Sequence, residues 1–383
     1  MKKRNLSILL SLVMAAAIAG CGSSSTASSA DSKAESSSAE EASSAAASAS
    51  SVSGESVGSS SVSSTSGNDT ATATAGAITS DNYTPGTTQD AGEAAGKNIT
   101  FIIKNTTAPF FISMKEGAEQ AGKDYGVTVS VQAPTDTDEG AGNTQQTQLA
   151  EQAIASKTDC LCIAPVDNEA IMPAMKKVND AGIPIVEVNS RLSDESFSST
   201  FVGLENVQQG YDTMEQLIKG LNGKGKIFLI EGTTGAQTSA DRITGAKKAL
   251  EEDGPDIEVV AQQSANYNRA EALNVVQNLL QSNPDVNGIF CCNDEMALGA
   301  VEAVDSAGKT GDILITGQDA NDDAVSALKE GKIYATSYGN PFMQGYMGVV
   351  AAVDTLNGGA KSNFYQVQTK VVTIDNADTF KNE

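Results

Sequence analysis

The stretch Asn98-Ile99-Thr100-Phe101-Ile102-Ile103-Lys104 is a β-rich run, and a helical-period segment from Phe111 to Tyr125 and a second β-rich run, Val127 to Val131, follow it. In the middle segment Ile112 and the charged Lys115, Glu116 and Glu119 divide an inner from an outer face, as a helix laid on a sheet requires. Strand, helix, strand at this spacing is the unit of a parallel sheet covered by helices. The rhythm then repeats. Further strands are predicted at Cys160–Ala164, Ile185–Val188 and Phe201–Gly203, and a second set at Lys226–Glu231, Glu258–Gln262, Gly288–Cys292, Ile313–Gly317 and Tyr334–Ser337. Helices are predicted between them, with turns such as Ala181-Gly182-Ile183-Pro184 and Ser282-Asn283-Pro284-Asp285 closing one element and opening the next. The fold class is α/β. About five strands in each half favour two open sheets over a single sheet of about ten, which is near the limit for a twisted sheet.

Composition narrows the chemistry. The 383 residues carry a formal net charge of −23, which repels a phosphate backbone, so nucleic acid is not an expected partner. Histidine is absent, which removes Ser-His-Asp triads, Cys-His pairs and histidine metal sites. Tryptophan is absent too, so aromatic contacts to a ligand must come from Phe and Tyr.

The amino terminus reads as an export signal. Three positive charges in Met1 to Arg4 precede an apolar run from Leu6 to Ala19, and Ile18-Ala19-Gly20-Cys21 ends it as a lipobox does. The run is shorter than the roughly 20 residues a membrane-spanning helix needs. Residues 1–20 are therefore expected to be a signal peptide and Cys21 the lipidated first residue of the mature chain, anchored to the outer face of the cell membrane. Residues 21–96 are Ser, Ala, Thr and Gly with scattered acids, a composition that buries too little to order itself, and are expected to form a tether. Cys160-x-Cys162 and Cys291-Cys292 lack the C-x-x-C spacing of a zinc or redox site and are expected to be buried thiols.

In doubly wound sheets a ligand sits beyond the carboxyl ends of the strands. Lys104, Asn189 and Arg191, Asn293, and Asp319 stand at such ends, Phe110 and Phe111 follow the first strand, and Tyr267 lies in a later loop. Planar forked groups bridge neighbouring hydroxyls, and flat rings suit the C–H face of a sugar. The set points to a carbohydrate. Other motifs fall short: the Gly232–Gly235 loop lacks the P-loop Lys and Ser/Thr, and Asp136-x-Asp138-x-Gly140 is only a fragment of a calcium loop. No metal or cofactor is expected.

Several runs resemble the ribose-binding branch of the bacterial periplasmic binding proteins. They are Pro109-Phe110-Phe111 with Lys115-Glu116-Gly117-Ala118, Ile163-Ala164-Pro165, Gly182-Ile183-Pro184-Ile185, Arg242-x-x-Gly245, Leu273 to Leu280, and Asn293-Asp294-Glu295-Met296-Ala297-Leu298-Gly299-Ala300. They occur in the family's order over nearly all of Lys97 to Asp375. The resemblance implies the type I fold, two Rossmann-like lobes joined by three crossing strands, and a monosaccharide or polyol delivered to an ABC-transporter permease without catalysis. By it, residues 97–203 and 340–367 form an N-terminal lobe, and 204–339 with 368–383 a C-terminal lobe. It further implies that Phe110 and Phe111 stack on one sugar face and Tyr267 on the other, with Arg242, Asn293 and Asp319 bonding hydroxyls and the ring oxygen. Lys104, Asn189 and Arg191 complete the expected site, in a monomer. Ala108, Ala164 and Gly339 depart from the pattern of ribose binders, which implies a different hydroxyl pattern in the ligand. The alternative is a ligand-sensing receptor for a membrane sensor kinase or for an autoinducer-like sugar derivative.

Overall fold

The computed structural model describes residues 76–135 and 139–381. The signal, Cys21 and the acidic pair Asp136 and Asp138 lie outside the described residues. The first lobe contains β1 (Ile78–Thr79), β2 (Asn98–Ile102), α1 (Pro109–Tyr125), β3 (Thr128–Gln132), α2 (Glu139–Ala155), β4 (Cys160–Ile163), α3 (Met172–Asp180), β5 (Ile185–Val188) and β6 (Ser198–Gly203). The chain then crosses to α4 (Asn206–Gly220), β7 (Lys224–Glu231), α5 (Gln237–Asp253), β8 (Asp256–Ser264), α6 (Arg269–Ser282), β9 (Gly288–Cys291), α7 (Asp294–Ser306), β10 (Leu314–Thr316), α8 (Asp322–Lys329) and β11 (Ala335–Tyr338). It returns with α9 (Pro341–Leu356) and β12 (Phe364–Gln366) and crosses again to β13 (Lys370–Thr373).

The two sheets have the orders β1-β12-β6-β5-β4-β2-β3 and β13-β11-β10-β9-β7-β8. Every pairing is parallel except β11 with β13. In each sheet the first long strand lies between the second and the third, so successive crossovers leave it on opposite faces. The crevices this leaves, beyond the carboxyl ends of β2 and β4 and of β7 and β9, are where such sheets take ligands. Lys104 follows β2, and Asn293 follows β9.

Each lobe is clasped by one helix pair. α1 meets α9 through Gly117 and Gly345, where a Cβ would overlap the carbonyl oxygens of Phe342 and Met114. α4 meets α5 in the same way through Gly210 and Gly245, against the carbonyls of Arg242 and Val207. Only glycine permits backbones this close. The spacing of Arg242-x-x-Gly245 thus has a physical cause, because one turn of α5 carries both a helix seat and the side chain beside it.

The structure corrects the tether boundary. Residues 76–96, expected to be unstructured, carry β1, which pairs with β12, and a helical turn at Gly92–Ala94. Ala91 and Ala94 join the core beneath α1 and α9. Polar clamps supply what the composition lacks: Gly86 N donates to Asp124 Oδ2 at 2.7 Å, and Ala94 N to Asn357 Oδ1 at 3.1 Å. The short strands β12 and β13 were also beyond the sequence pattern. The four cysteines of the described residues are free and buried.

Glu187 on β5 is fully buried, and burial, reinforced by the charge of Glu195, pushes its carboxyl up to about 8. A group raised in the folded state contributes stability that is complete below its unfolded pKa and lost as pH rises to the folded one. Two outcomes are expected. Urea unfolding of Gly245→Ala should show a loss of about 1–3 kcal/mol from overpacking, since the obstructing atom is a backbone carbonyl, despite alanine's better helix propensity. The thermal midpoint should fall as pH rises from about 5 to about 8 in the parent and stay flatter in Glu187→Gln; equal slopes would contradict the assignment.

Candidate functional site

The strand ends of both lobes converge on one cavity of about 820 Å³. Lys104, Phe110, Phe111 and Asn189 line it from the first lobe, and Arg242, Tyr267, Asn293 and Asp319 from the second. Eight of the nine residues expected at the site are therefore brought together.

The aromatic walls are fixed by local geometry. Pro109 opens α1 at its first turn, and Phe110 and Phe111 follow it with ring centroids 5.2 Å apart at 74°, an edge-to-face pair. On the other side Tyr267 has φ 56° and Asn266 φ 52°, both left-handed, a conformation that costs a non-glycine residue free energy. Two contacts hold the ring there. The Tyr267 hydroxyl lies 3.1 Å from Thr238 Oγ1, and the ring lies over Gly232, where a Cβ would overlap it.

Arg242 projects from α5 with only 4% of its side chain exposed. Its Nε donates to Gln209 Oε1 at 3.0 Å and its Nη1 to the Cys292 carbonyl at 2.7 Å, which leaves Nη2 at 4.0 Å from Asp319 Oδ1. Asp319 is 10% exposed, and burial drives its carboxyl well above the usual range although the Arg242 charge opposes this. Its backbone has φ 129°, and its N–H donates to the Ser337 carbonyl at 2.7 Å. A strained backbone held by its surroundings is a common device for presenting a side chain.

The loop that carries Asp319 depends on Asp294, which lies behind the cavity. Thr336 Oγ1 donates to Asp294 Oδ1 at 2.7 Å and Asn321 N to Oδ2 at 2.9 Å, and burial pushes this carboxyl up to about 7. Asn293 caps α7, its Oδ1 accepting from Met296 N at 3.0 Å, so its amide N–H group is left for the cavity. Asn321 caps α8 in the same fashion.

On the first lobe Asn189, at φ 68°, donates through Nδ2 to Gln344 Oε1 at 3.1 Å. Gln344 Nε2 in turn donates to the Gly339 carbonyl at 2.7 Å, which ties Asn189 to a crossing segment. Lys104 Nζ donates to Ser190 Oγ at 2.7 Å. Burial first, and the Arg242 charge second, lower its ammonium to about 7.

Arg191 is the exception. Its guanidinium carbon lies 4.0 Å above the Phe201 ring and its Nη1 donates to Glu195 Oε2 at 2.7 Å, so it stacks beside the first crossing and does not line the cavity. The left-handed turn at Asn189 redirects the chain, so Ser190, not Arg191, reaches Lys104. Sequence reading missed Asn105, Thr238, Asn268 and Asn321, and also Arg269 and Glu295, an ion pair at 3.0 Å; all of these line the cavity. Glu295 stood within a run already singled out, and the others sit in loops or at helix starts whose paths local sequence does not encode.

A family model described as periplasmic binding protein domain matches residues 99–360. The chain is 35% identical over 261 residues to the ribose import binding protein of Bacillus subtilis strain 168, covering 68% of this chain and 82% of that one. Among solved structures it is similar to an ABC transporter periplasmic solute binding protein from Actinobacillus succinogenes with bound D-allose. That likeness has 34% identity and a TM-score of 0.69, over 74% of this chain and all (100%) of that one. It is also similar to an ABC transporter solute binding protein from Bacillus halodurans with bound myo-inositol, at 31% identity and TM-score 0.67, over 75% and 98% of the two chains. With two mostly parallel sheets of matching central strand order facing one cavity, the chain belongs to the periplasmic binding proteins, in the ribose-binding-like branch of the type I fold.

Proposed function

We propose that this protein captures a monosaccharide or related polyol in the cavity between its lobes and delivers it to an ABC-transporter permease. The observation that carries this reading is the pairing of aromatic walls on opposite lobes, Phe110 and Phe111 against Tyr267, with the forked groups of Arg242, Asp319 and Asn293. Rings suit the C–H faces of a sugar, and forked groups suit its hydroxyls. The named ligands of the similar proteins, ribose, D-allose and myo-inositol, share that chemistry. Each hydrogen bond to a charged group contributes about 1.5–3 kcal/mol, so three or four supply much of the roughly 8 kcal/mol that micromolar affinity requires.

Delivery needs closure. Ligand that touches both lobes binds the closed arrangement better than the open one, and only such a difference shifts the population. Binding and release require no bond chemistry, so the protein acts as a receptor and not as an enzyme. The lipobox ending at Cys21 supports a lipid-anchored position on the outer face of the cell membrane.

Calorimetry with D-ribose, D-allose, xylitol and myo-inositol should find at least one ligand, with a smaller radius of gyration by X-ray scattering when it is bound. Asp319→Asn should weaken that ligand about tenfold or more. Silence of the folded parent across the panel would overturn the proposal. Lys104 provides a pH signature, because its ammonium is the stronger donor and loses its proton near pH 7. Affinity should therefore decline from about pH 6 to about pH 8 in the parent, and Lys104→Met should remove the part of that decline due to the ammonium, leaving a different profile set by Asp294 and Asp319.

A further inference from the structure

The lobes also meet beside the ligand cavity. The loop after β4, in the first lobe, carries Asp167 and Asn168; in the second lobe, Gly235 lies in the loop that leads into α5, and Gln237 is the first residue of that helix. Asn168 Nδ2 donates to Gln237 Oε1 at 3.1 Å. Gln237 Nε2 donates in turn to Asp241 Oδ1 at 2.7 Å, one turn further along α5, which orients the carboxamide with its oxygen toward the first lobe. Next to this pair the Gly235 backbone comes so close to Asp167 that a Cβ there would stand 2.6 Å from Oδ2. Oδ1 of the same carboxylate accepts from Glu169 N at 2.8 Å and Ala170 N at 2.9 Å, which anchors it against moving aside. The neighbours Val166, Ala236 and Thr238 line the ligand cavity, whereas Asn168 and Gln237 do not. Arg191, which the ligand cavity leaves out, lines a small hollow of about 50 Å³ together with Gln237 and Asp241.

We propose that Asn168 and Gln237 form a latch between the lobes, as positioning residues that set the affinity for ligand without touching it. This rests on the reading that a ligand held between the lobes draws them together. The hydrogen bond joins groups on different lobes, so it exists only while the lobes are together and is exchanged for water when they part. Its free energy enters the closed arrangement alone, and apparent affinity follows the population of that arrangement. Because the latch contacts no ligand atom, it strengthens every ligand by one factor and leaves the choice among sugars to the cavity walls. Glycine at 235 lets the two loops approach, and a side chain there would prop them apart. Arg191 gains a place in the same contact zone. Burial raises the Asp241 carboxyl, and the Gln237 hydrogen bond and the charge of Arg191, the latter from the first lobe, work against this.

The test uses the tightest-binding member of the D-ribose, D-allose, xylitol and myo-inositol panel and its monodeoxy analogues, with X-ray scattering of the ligand-free proteins. Asn168→Ala and Gln237→Ala are each expected to weaken all these ligands by the same factor, about threefold to tenfold, with unfolding temperatures little changed. The double variant should lose no more than the weaker-binding single variant, because one shared contact is removed. Where the parent is already mostly closed without ligand, the loss appears instead as a larger radius of gyration of the ligand-free variants. Affinity and radius both unchanged in the two single variants overturn the proposal. A weakening that differs from ligand to ligand also overturns it, because the residues then touch the guest, and so does a double variant whose loss is the product of the single losses. Should either variant fail to fold, Gly235→Ala decides. Its backbone, at φ 80°, is strained equally with the lobes together or apart, but its Cβ meets Asp167 only when they are together, so the same uniform weakening is expected. A parent that binds nothing in the panel overturns the capture reading together with this one, whereas a binding parent with unaffected variants overturns this one alone.

Discussion

A guanidinium sealed from water at the seam between two lobes must find partners for its charge and its donors, and Arg242 organises the centre of the molecule in meeting that need. One nitrogen takes a carboxamide on α4, a second takes the carbonyl just beyond β9, and the third stands 4.0 Å from Asp319. Three separate elements are therefore referenced to one side chain. Its own position is set by backbone contact, since the Arg242 carbonyl lies against Gly210 and the next turn of α5 seats Gly245 on α4. A helix seam thereby fixes the charge at the bottom of the cavity.

Asp319 shows the complementary side of the arrangement. A carboxyl that burial holds well above its usual range is short of donors, and a polyhydroxylated guest brings donors. The strained backbone at Asp319 and Ala320, and the support of Asp294 and Thr336 beneath it, hold the carboxyl in place before any guest arrives. Groups held in advance lose less entropy on binding, so more of each hydrogen bond appears as affinity. Lys104, brought to about 7 across the cavity, is placed under the same field.

The lobes repeat one solution. Each has the same strand order at its centre, and each is clasped by a glycine-seated helix pair. The two crevices consequently face one another with a common frame but different walls: two phenylalanines and a lysine on one side, a tyrosine, an arginine and an aspartate on the other. The asymmetry lies in side chains.

Much of this was legible in the chain. Ile185–Val188 matches its strand to the residue, and the other predicted strands hold within a few residues, because central strands of a parallel sheet covered on both faces are buried throughout and read as short apolar β-rich runs between turns. Eight of nine expected cavity residues were legible as well, since strand ends in a parallel sheet must face one side. Tertiary structure decided the rest. Arg191 leaves the cavity for Phe201 because the left-handed backbone at Asn189 is set by what packs around it, and residues 76–96 are ordered by Asp124 and Asn357, which are remote in sequence. Periodicity records which face of an element is buried; only the packed chain records which distant group stands opposite it.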